Sequence, residues 1–413
     1  MPDMLLVYWN SGLVGTLERD ATRLAFRYDT QYLARIGAVP LSRHLPVRNE
    51  AFDHEASLAF FANLLPEGAI RRQVARQVGV SVENVFGLLA AIGGDCAGAV
   101  SLLPPGMSAE TSGAYQPISR EKLAEELVNL PAHPFLAGDE AVRLSLAGAQ
   151  NKLPIYYDGT DFFIPEGQYP SSHILKTAIA QLEESVINEA FCMTLARNAG
   201  LPAPQAGIVV INGTPVYLVE RYDRTPGAAG RLERLHQEDF CQALGVPPEM
   251  KYEAEGGPGF KDCFKLVEEW SDEPIVDSLL LLDWVFFNLL IGNADSHAKN
   301  LSVLYAGGTI RLAPFYDLLS TAVYERVNNK FAMKLGGQRD PRYLAPNHLG
   351  RFAEDIGVEL RTVKIRMKEL TDRVNRAIDQ MGKGNDSGFF STPIVTSILR
   401  VIEQRERKMK SLL

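Results

Sequence analysis

The chain has 413 residues, 46% of them hydrophobic and 22% charged, enough to bury two or three packed units and not the composition of a disordered chain. A formal net charge of −8 gives no broad basic surface, which argues against autonomous nucleic-acid binding through phosphate neutralisation and is compatible with a DNA-binding partner. The four cysteines, Cys96, Cys192, Cys241 and Cys263, fall into no Cys-x-x-Cys or Cys/His ligand spacing, so neither a zinc site nor a disulfide framework is indicated and a reducing cytoplasm fits.

The opening residues carry no basic stretch and cleavage site. Strands are expected at Leu5 to Trp9 and around Val14 to Leu17, joined by an Asn-Ser-Gly turn. Helical patterns follow at Glu55 to Leu65 and Val82 to Ile92, and the Pro, Gly and Ser-rich stretch from Pro104 marks a boundary near 105. Strands and turns return over 141 to 176. A helix is expected over Glu184 to Ala199, with Val186, Ile187, Ala190, Phe191 and Leu195 at helical spacing. Asn212-Gly213 between two alternating apolar runs is a strong hairpin signal. Beyond Asp223 the pattern turns mostly helical, apart from a hairpin at 301 to 312 around Gly307-Gly308, and a flexible loop at Gly382 to Gly388 precedes the last helix. The most apolar run, Ile275 to Gly292, contains Asp277, Asp283 and Asn288, and is expected to be a buried helix of a soluble protein rather than a membrane span.

That apolar helix ends in Gly-Asn-Ala-Asp-Ser-His-Ala-Lys-Asn (292 to 300), then a hairpin, then Pro-Phe-Tyr-Asp (314 to 317). Protein kinases place a catalytic-loop Asp, an Asn five residues later that binds magnesium, and a second magnesium-binding Asp after a hairpin. Asp295, Asn300 and Asp317 have that spacing and order. Phosphoryl transfer needs a carboxylate to accept the proton of the incoming hydroxyl, oxygen ligands for magnesium, and cations facing the phosphates. Asp295, then Asn300 with Asp317, then Lys299 with His297 can fill those roles. Upstream, Gly148 sits in the small-residue turn Ala147 to Lys152. Lys176 closes a strand, Glu189 lies on the next helix as its candidate partner, and 220 to 222 follow a hairpin where a kinase has its adenine-contacting hinge.

Taken singly, each piece has a plain structural reading: a polar helix end for Asp295 to Asn300, a solvated strand-end residue for Lys176, a surface helix charge for Glu189. Order and spacing together raise the set above those readings. The C-terminal run 403 to 410, with Arg400 before it, holds several cations that could touch DNA in a ternary complex, but such a run is more often a solvated helix end, and that is the reading favoured here. Gly-Gly-Pro-Gly (256 to 259) reads as a tight turn with no chemistry of its own.

Arg-Leu-Ser-Leu-Ala-Gly-Ala-Gln-Asn-Lys (143 to 152), His-Ile-Leu-Lys (173 to 176), Val-Glu-Arg-Tyr-Asp-Arg (219 to 224), Gln-Glu-Asp-Phe-Cys-Gln (237 to 242), Lys-Tyr-Glu-x-x-Gly-Gly-Pro-Gly (251 to 259), Asn-Ala-Asp-Ser-His-Ala-Lys-Asn (293 to 300) and Pro-Phe-Tyr-Asp (314 to 317) together resemble the HipA family, serine/threonine kinase toxins of bacterial toxin-antitoxin systems. Phe-Phe-Ala-Asn-Leu-Leu-Pro-Glu (60 to 67) and Ile-Gly-Gly-Asp-Cys-Ala-Gly-Ala-Val (92 to 100) extend the resemblance to the N-terminal part.

The resemblance implies an α+β, protein-kinase-like two-lobed fold: an added N-terminal subdomain (1–105), a kinase-like N-lobe (106–225) and a helical C-lobe (226–413). It implies ATP binding by Ala147, Gly148, Ala149, Gln150, Asn151 and Lys152, by Lys176, by Glu220, Arg221 and Tyr222, by His297, Lys299 and Asn300, and by Tyr316 and Asp317. Asp295 would be the catalytic base with Lys176 beside it in catalysis, Asn300 and Asp317 the Mg2+ ligands, and Ser145 the self-phosphorylation site. The implied partners are a HipB-like helix-turn-helix antitoxin, DNA mainly through that antitoxin, and an aminoacyl-tRNA synthetase substrate such as the glutamyl enzyme, with no membrane. Where the family generally has Gly after the catalytic Asp this chain has Ser296, a position that carries no required charge. A small-molecule kinase and a non-catalytic corepressor are the alternatives.

Overall fold

The computed structural model describes residues 3–107, 113–134, 144, 146–148, 150–227 and 231–413. The chain forms two compact units: Met1–Thr177 with Val210–Glu249 and Leu304–Gly307, and Ala178–Val209 with Met250–Val303 and Gly308–Leu413.

In the first unit, strands Met4–Trp9 and Gly12–Asp20 form the expected hairpin, flanked by Arg23–Tyr28 and Val100–Leu103 in one antiparallel sheet. The second strand runs past Leu17 to Asp20, and the third was not expected from the pattern; its Leu24, Phe26 and Tyr28 are buried while Arg23 and Arg27 are exposed, the period of a half-buried strand. The helix expected over Glu55 to Leu65 is α-helical only over His54–Phe61, started by the Asp53 side chain accepting from Ala56 N, and tightens into a 3-10 turn at Ala62–Leu64. The helix expected from Val82 begins at Val85, because Asn84 caps it by accepting from Gly87 N. Between them stands a helix with no expectation behind it, Gly68–Gln77, whose Arg and Gln content hides a buried stripe at Ile70 and Val74.

A second sheet orders its strands Tyr115–Ile118, Phe162–Pro165, Lys152–Tyr157, His173–Lys176, Thr214–Glu220, Ala206–Ile211. The Asn212-Gly213 turn forms with both residues in the left-handed region, φ 47° and 81°, the geometry that matches strand twist. After Asp223 the chain does not turn helical at once: Arg224–Pro226, Leu232–Arg234 and His236–Asp239 are short strands.

Two sealed polar clusters explain those strands. Asp95 Oδ1 accepts from Arg224 Nη2 (2.8 Å) and Arg234 Nε (2.9 Å), and its Oδ2 from Ser171 Oγ (2.9 Å). Arg221 pairs with Asp95 (3.3 Å) and with Asp223 (2.8 Å), and Asp223 also takes the Gly98 amide (2.7 Å). Burial alone would raise the Asp95 carboxyl, but the three guanidiniums hold it far below the usual range. Nearby, Glu238 accepts from Ser42 Oγ (2.5 Å) and Tyr305 OH (2.6 Å), and His236 lies against Trp9 and Tyr305 with ring centroids 4.3 and 5.0 Å away.

The second unit is built on the helix Pro274–Ile291, against which Phe260–Trp270, Leu360–Met381 and Pro393–Lys410 pack. Trp284, Phe286, Phe287 and Leu290 are fully buried, each such side chain contributing about 1.5–3 kcal/mol through its lost contact with water. Long and apolar enough to cross a bilayer, the helix is instead a core element. Its buried Asp277 is bound by Arg311 (2.8 Å), and its buried Asp283 by Arg366 (2.5 Å) and Arg373. The loop expected at Gly382 to Gly388 runs into a 3-10 helix, Asn385–Ser391. Of the C-terminal cations Lys410 is exposed and pairs with Glu406 (2.7 Å) one turn back, whereas burial pulls the Arg405 guanidinium below its usual pKa, so the run is not solvated throughout.

Candidate active site

In the second unit, Gly292 ends the core helix in the left-handed conformation, and a Cβ there would stand 2.6 Å from that of Ala322. The chain then turns through a mesh of hydrogen bonds, some local and some to Thr321 beyond the following hairpin. Asn293 Nδ2 donates to Asn288 Oδ1 (2.8 Å), Ala294 N to Thr321 Oγ1 (2.7 Å), Thr321 Oγ1 to Gly292 O (3.1 Å), and Asp295 N to Asn293 Oδ1 (3.0 Å). Asn300 Nδ2 donates to the Asp295 carbonyl (3.0 Å), closing the five-residue spacing into one loop through the 3-10 turn Ala298–Asn300. His297, Lys299 and Asn300 are buried, whereas the Asp295 side chain is half-buried and takes a 2.6 Å hydrogen bond from Tyr252 OH.

The hairpin Ser302–Ala306 and Thr309–Leu312 carries the chain on to Tyr316, whose hydroxyl donates to Lys299 O (2.9 Å) and bonds Ser302 Oγ (2.8 Å). Asp317 is held at φ 59°, a left-handed conformation that a non-glycine residue adopts at a cost and that gathers at functional sites. The segment after it is clamped by Asn188, whose Oδ1 accepts from Ser320 N (2.8 Å) and whose Nδ2 donates to Ser320 O (2.8 Å). Glu189, the next residue on the helix Ser185–Asn198, is buried.

In the first unit, Lys176 ends its strand buried, opposite Tyr217 and Lys152, with Nζ 5.5 Å from the Tyr217 ring centroid. The turn before Lys152 is tied inward: Glu67 N donates to Gly148 O (3.0 Å) and Lys152 Nζ to Ala147 O (2.5 Å). Gln150 Nε2 donates to Thr177 O (3.0 Å), and Asn151 O accepts from Thr177 N (3.4 Å). Ser145 and Ala149 lie outside the described residues. Glu220 ends its strand exposed and opposite His173, whose imidazole burial pulls down to about 4 and so keeps neutral. Tyr222 OH bonds Gln237. The Arg221 guanidinium is locked in the Asp95 cluster, and its main chain is also engaged, its N–H donating to Ser172 O (2.9 Å) and its carbonyl accepting from Arg224 N (3.3 Å).

Asp295, His297, Lys299, Asn300 and Tyr316 are thus gathered into one loop system of the second unit, and Ala147, Gly148, Gln150, Asn151 and Lys152 into one turn of the first. Tyr252, Asn188, Asn293 and Thr321 had no expected role. Tyr252 and Asn293 stand in quoted motifs, Lys-Tyr-Glu and Asn-Ala-Asp-Ser-His-Ala-Lys-Asn, so a signal was there; Asn188 and Thr321 form ordinary-looking contacts with nothing in the sequence to mark them.

A mixed helix-and-sheet, protein-kinase-like fold with this order of loop, hairpin and acidic segment defines the class. Residues 5–103 match the HipA N-terminal domain family and residues 144–381 the HipA-like C-terminal domain family. The chain belongs to the HipA family, as its motifs indicate. It is 42% identical over 381 residues to the putative kinase Y4mE of Sinorhizobium fredii, covering 91% of each chain. To the serine/threonine-protein kinase toxin HipA of Shewanella oneidensis it is 32% identical over 383 residues, 89% of this chain and 87% of that one. Among solved structures it resembles HipA from the Shewanella oneidensis MR-1 complex of HipA, HipB and operator DNA, with a TM-score of 0.85 at 28% identity over 99% of this chain and 98% of the other.

Proposed function

We propose that this chain is a cytoplasmic, magnesium-ATP-dependent protein serine/threonine kinase that acts as the toxin of a toxin-antitoxin pair. Its family and its kinase relatives support the enzyme class. The observation that carries the residue assignment is the Asn300 Nδ2 bond to the Asp295 carbonyl, which ties a base and a metal ligand into one loop.

In this reading Asp295 orients the acceptor hydroxyl and takes its proton while that oxygen bonds to the γ-phosphorus and the bond to the β,γ-bridging oxygen breaks, releasing ADP. Bound magnesium-ATP supplies the phosphoryl group and part of the balancing charge. The Asn300 carbonyl oxygen and the Asp317 carboxylate would hold Mg2+. Both are hard oxygen donors, and the hydrogen bond from Asn300 Nδ2 leaves that residue's Oδ1 for the metal. Among the described residues no cluster of three or more His, Cys, Asp or Glu side chains forms a metal cage, and magnesium bound largely through phosphates and water needs none. Lys176, and Lys299 with His297, balance phosphate charge. Ala147 to Lys152 serve the phosphates, with Tyr316 beside the metal ligands, and Glu220 to Tyr222 serve the adenine.

Similarity to a HipA solved with HipB and operator DNA supports a HipB-like helix-turn-helix antitoxin as partner, and the net charge of −8 supports reaching DNA through it. Family likeness supports an aminoacyl-tRNA synthetase, such as the glutamyl enzyme, as the substrate whose inhibition arrests growth. Ser145 is the proposed self-phosphorylation site; about −1.5 to −2 charges added beside a triphosphate site would oppose ATP binding.

The test is phosphopeptide mapping after the purified protein meets magnesium-ATP and a panel of synthetases with their tRNAs. Phosphate on one synthetase and on Ser145, absent with Asp295→Asn, is expected, and Ser145→Ala keeps transfer while losing self-modification. Phosphate on no protein would turn the reading toward a small-molecule kinase or a corepressor. Asp317→Ala with full activity would overturn the metal assignment.

A further inference from the structure

We propose that Tyr252 is a positioning residue for phosphoryl transfer, its phenol holding Oδ1 of Asp295 and thereby aiming Oδ2 at the acceptor hydroxyl. This rests on the kinase reading above.

Rotation of a carboxylate about its last bond is soft, so a base supported only through its main chain would present either oxygen at a range of angles. The loop contacts of Asp295 are of that kind: its amide donates to Asn293 Oδ1 and its carbonyl accepts from Asn300 Nδ2. The 2.6 Å bond from Tyr252 supplies what they lack. An O–H donor at that distance from a carboxylate makes a strong, charge-assisted bond, and pinning one oxygen sets the plane in which the other lies.

Tyr252 is itself built to stay in place. Its carbonyl accepts from Glu255 N (2.9 Å) and Gly257 N (3.0 Å), and its ring meets His297 edge-on with centroids 5.1 Å apart. Next to it, Glu253 accepts from Lys334 N (2.5 Å) and pairs with Lys334 Nζ (3.3 Å). A Cβ on Gly257 would fall 1.8 Å from Met250 O, so the turn closes only with glycine there. Gly-Gly-Pro-Gly is thereby the support of a tyrosine that touches the proposed base, a rigid platform of the kind that preorganised sites require.

Tyr252→Phe removes the hydroxyl and keeps the ring against His297. With full-length protein, magnesium-ATP and the phosphoacceptor found by mapping, kcat is expected to fall about tenfold, the scale of one hydrogen bond to a charged group, with the ATP dissociation constant and Tm unchanged. In an Asp295→Asn background the same substitution is expected to cost nothing more. An unchanged kcat, a raised kcat that would make the phenol an obstacle, or a full additional loss in the Asp295→Asn background each overturns the inference while the kinase reading stands on the wild-type rate. A wild type that transfers no phosphate removes that reading, and this inference with it.

Discussion

Asp95 in the first unit and Asp295 in the second stand in opposite surroundings. Asp95 is 1% exposed and its oxygens meet Arg221, Arg224, Arg234 and Ser171, whereas Asp295 is half-buried and held by a tyrosine hydroxyl. A buried carboxylate saturated with guanidiniums is committed to structure, because every lone pair is spent and removing either partner strands a charge. A half-buried carboxylate on a backbone fixed by its neighbours can exchange a proton with something that arrives. Glu238 is an intermediate case, sealed like Asp95 but met by hydroxyls and an amide, and burial pushes its carboxyl up to about 7.

Substitutions can break this contrast. The largest effect is expected for Asp295→Asn, which should lower transfer by about a thousandfold, within the range a general base supplies, while leaving Tm within a degree or two. A large Tm loss would make Asp295 a structural residue like Asp95. Asp95→Ala should do the reverse, lowering the unfolding free energy in urea by about 3–5 kcal/mol because three guanidiniums are left buried around a missing charge. A loss below about 1 kcal/mol would place the cluster among ordinary surface pairs.

Glu238→Gln sharpens the middle case. The folded state keeps the Glu238 proton up to about pH 7. An unfolded glutamate loses it near 4.3, so this group's contribution to stability falls as pH rises between those values. The neutral amide escapes that fall, and its stability relative to wild type should rise by about 2.5 kcal/mol between pH 5 and pH 8 in denaturant titrations. A flat difference would mean that Glu238 is ionised throughout. The smallest effect is expected for Thr321→Val, which removes the hydroxyl joining Ala294 N and Gly292 O and should cost about 1 kcal/mol, with a few-fold loss of transfer.

The legible part of the molecule is the part whose partners are close in sequence. The core helix, its glycine cap, the loop from Asp295 to Asn300 and the Gly307-Gly308 hairpin follow one another within 39 residues, from Pro274 to Leu312, and each announces its own boundary. The Asn212-Gly213 turn is likewise self-contained. The Asp95 cluster could not be read: Arg221, Arg224 and Arg234 lie 126, 129 and 139 residues from Asp95, and although Asp95, Arg221 and Arg224 stand in quoted motifs, nothing in those motifs says that they pair. The strands at Arg224–Pro226 and Leu232–Arg234 were invisible for the same reason, since their stabilisation comes from that distant carboxylate rather than from apolar alternation. Tyr252 lies 43 residues before Asp295, and its glycine-rich turn announces a bend without saying what the bend supports.

The passage of the chain between units has a consequence for synthesis. Leu304–Gly307 belongs to the first unit, where Tyr305 bonds Glu238 and lies against His236 and Trp9. At about 5–20 residues per second a ribosome needs about 15–60 seconds to reach that segment, and until then the first unit lacks a piece of its interior. A nascent chain released just after Asn300 would carry the whole catalytic-type loop yet leave the Glu238 cluster open. Premature termination there would therefore leave the first unit without Tyr305 against Glu238, His236 and Trp9.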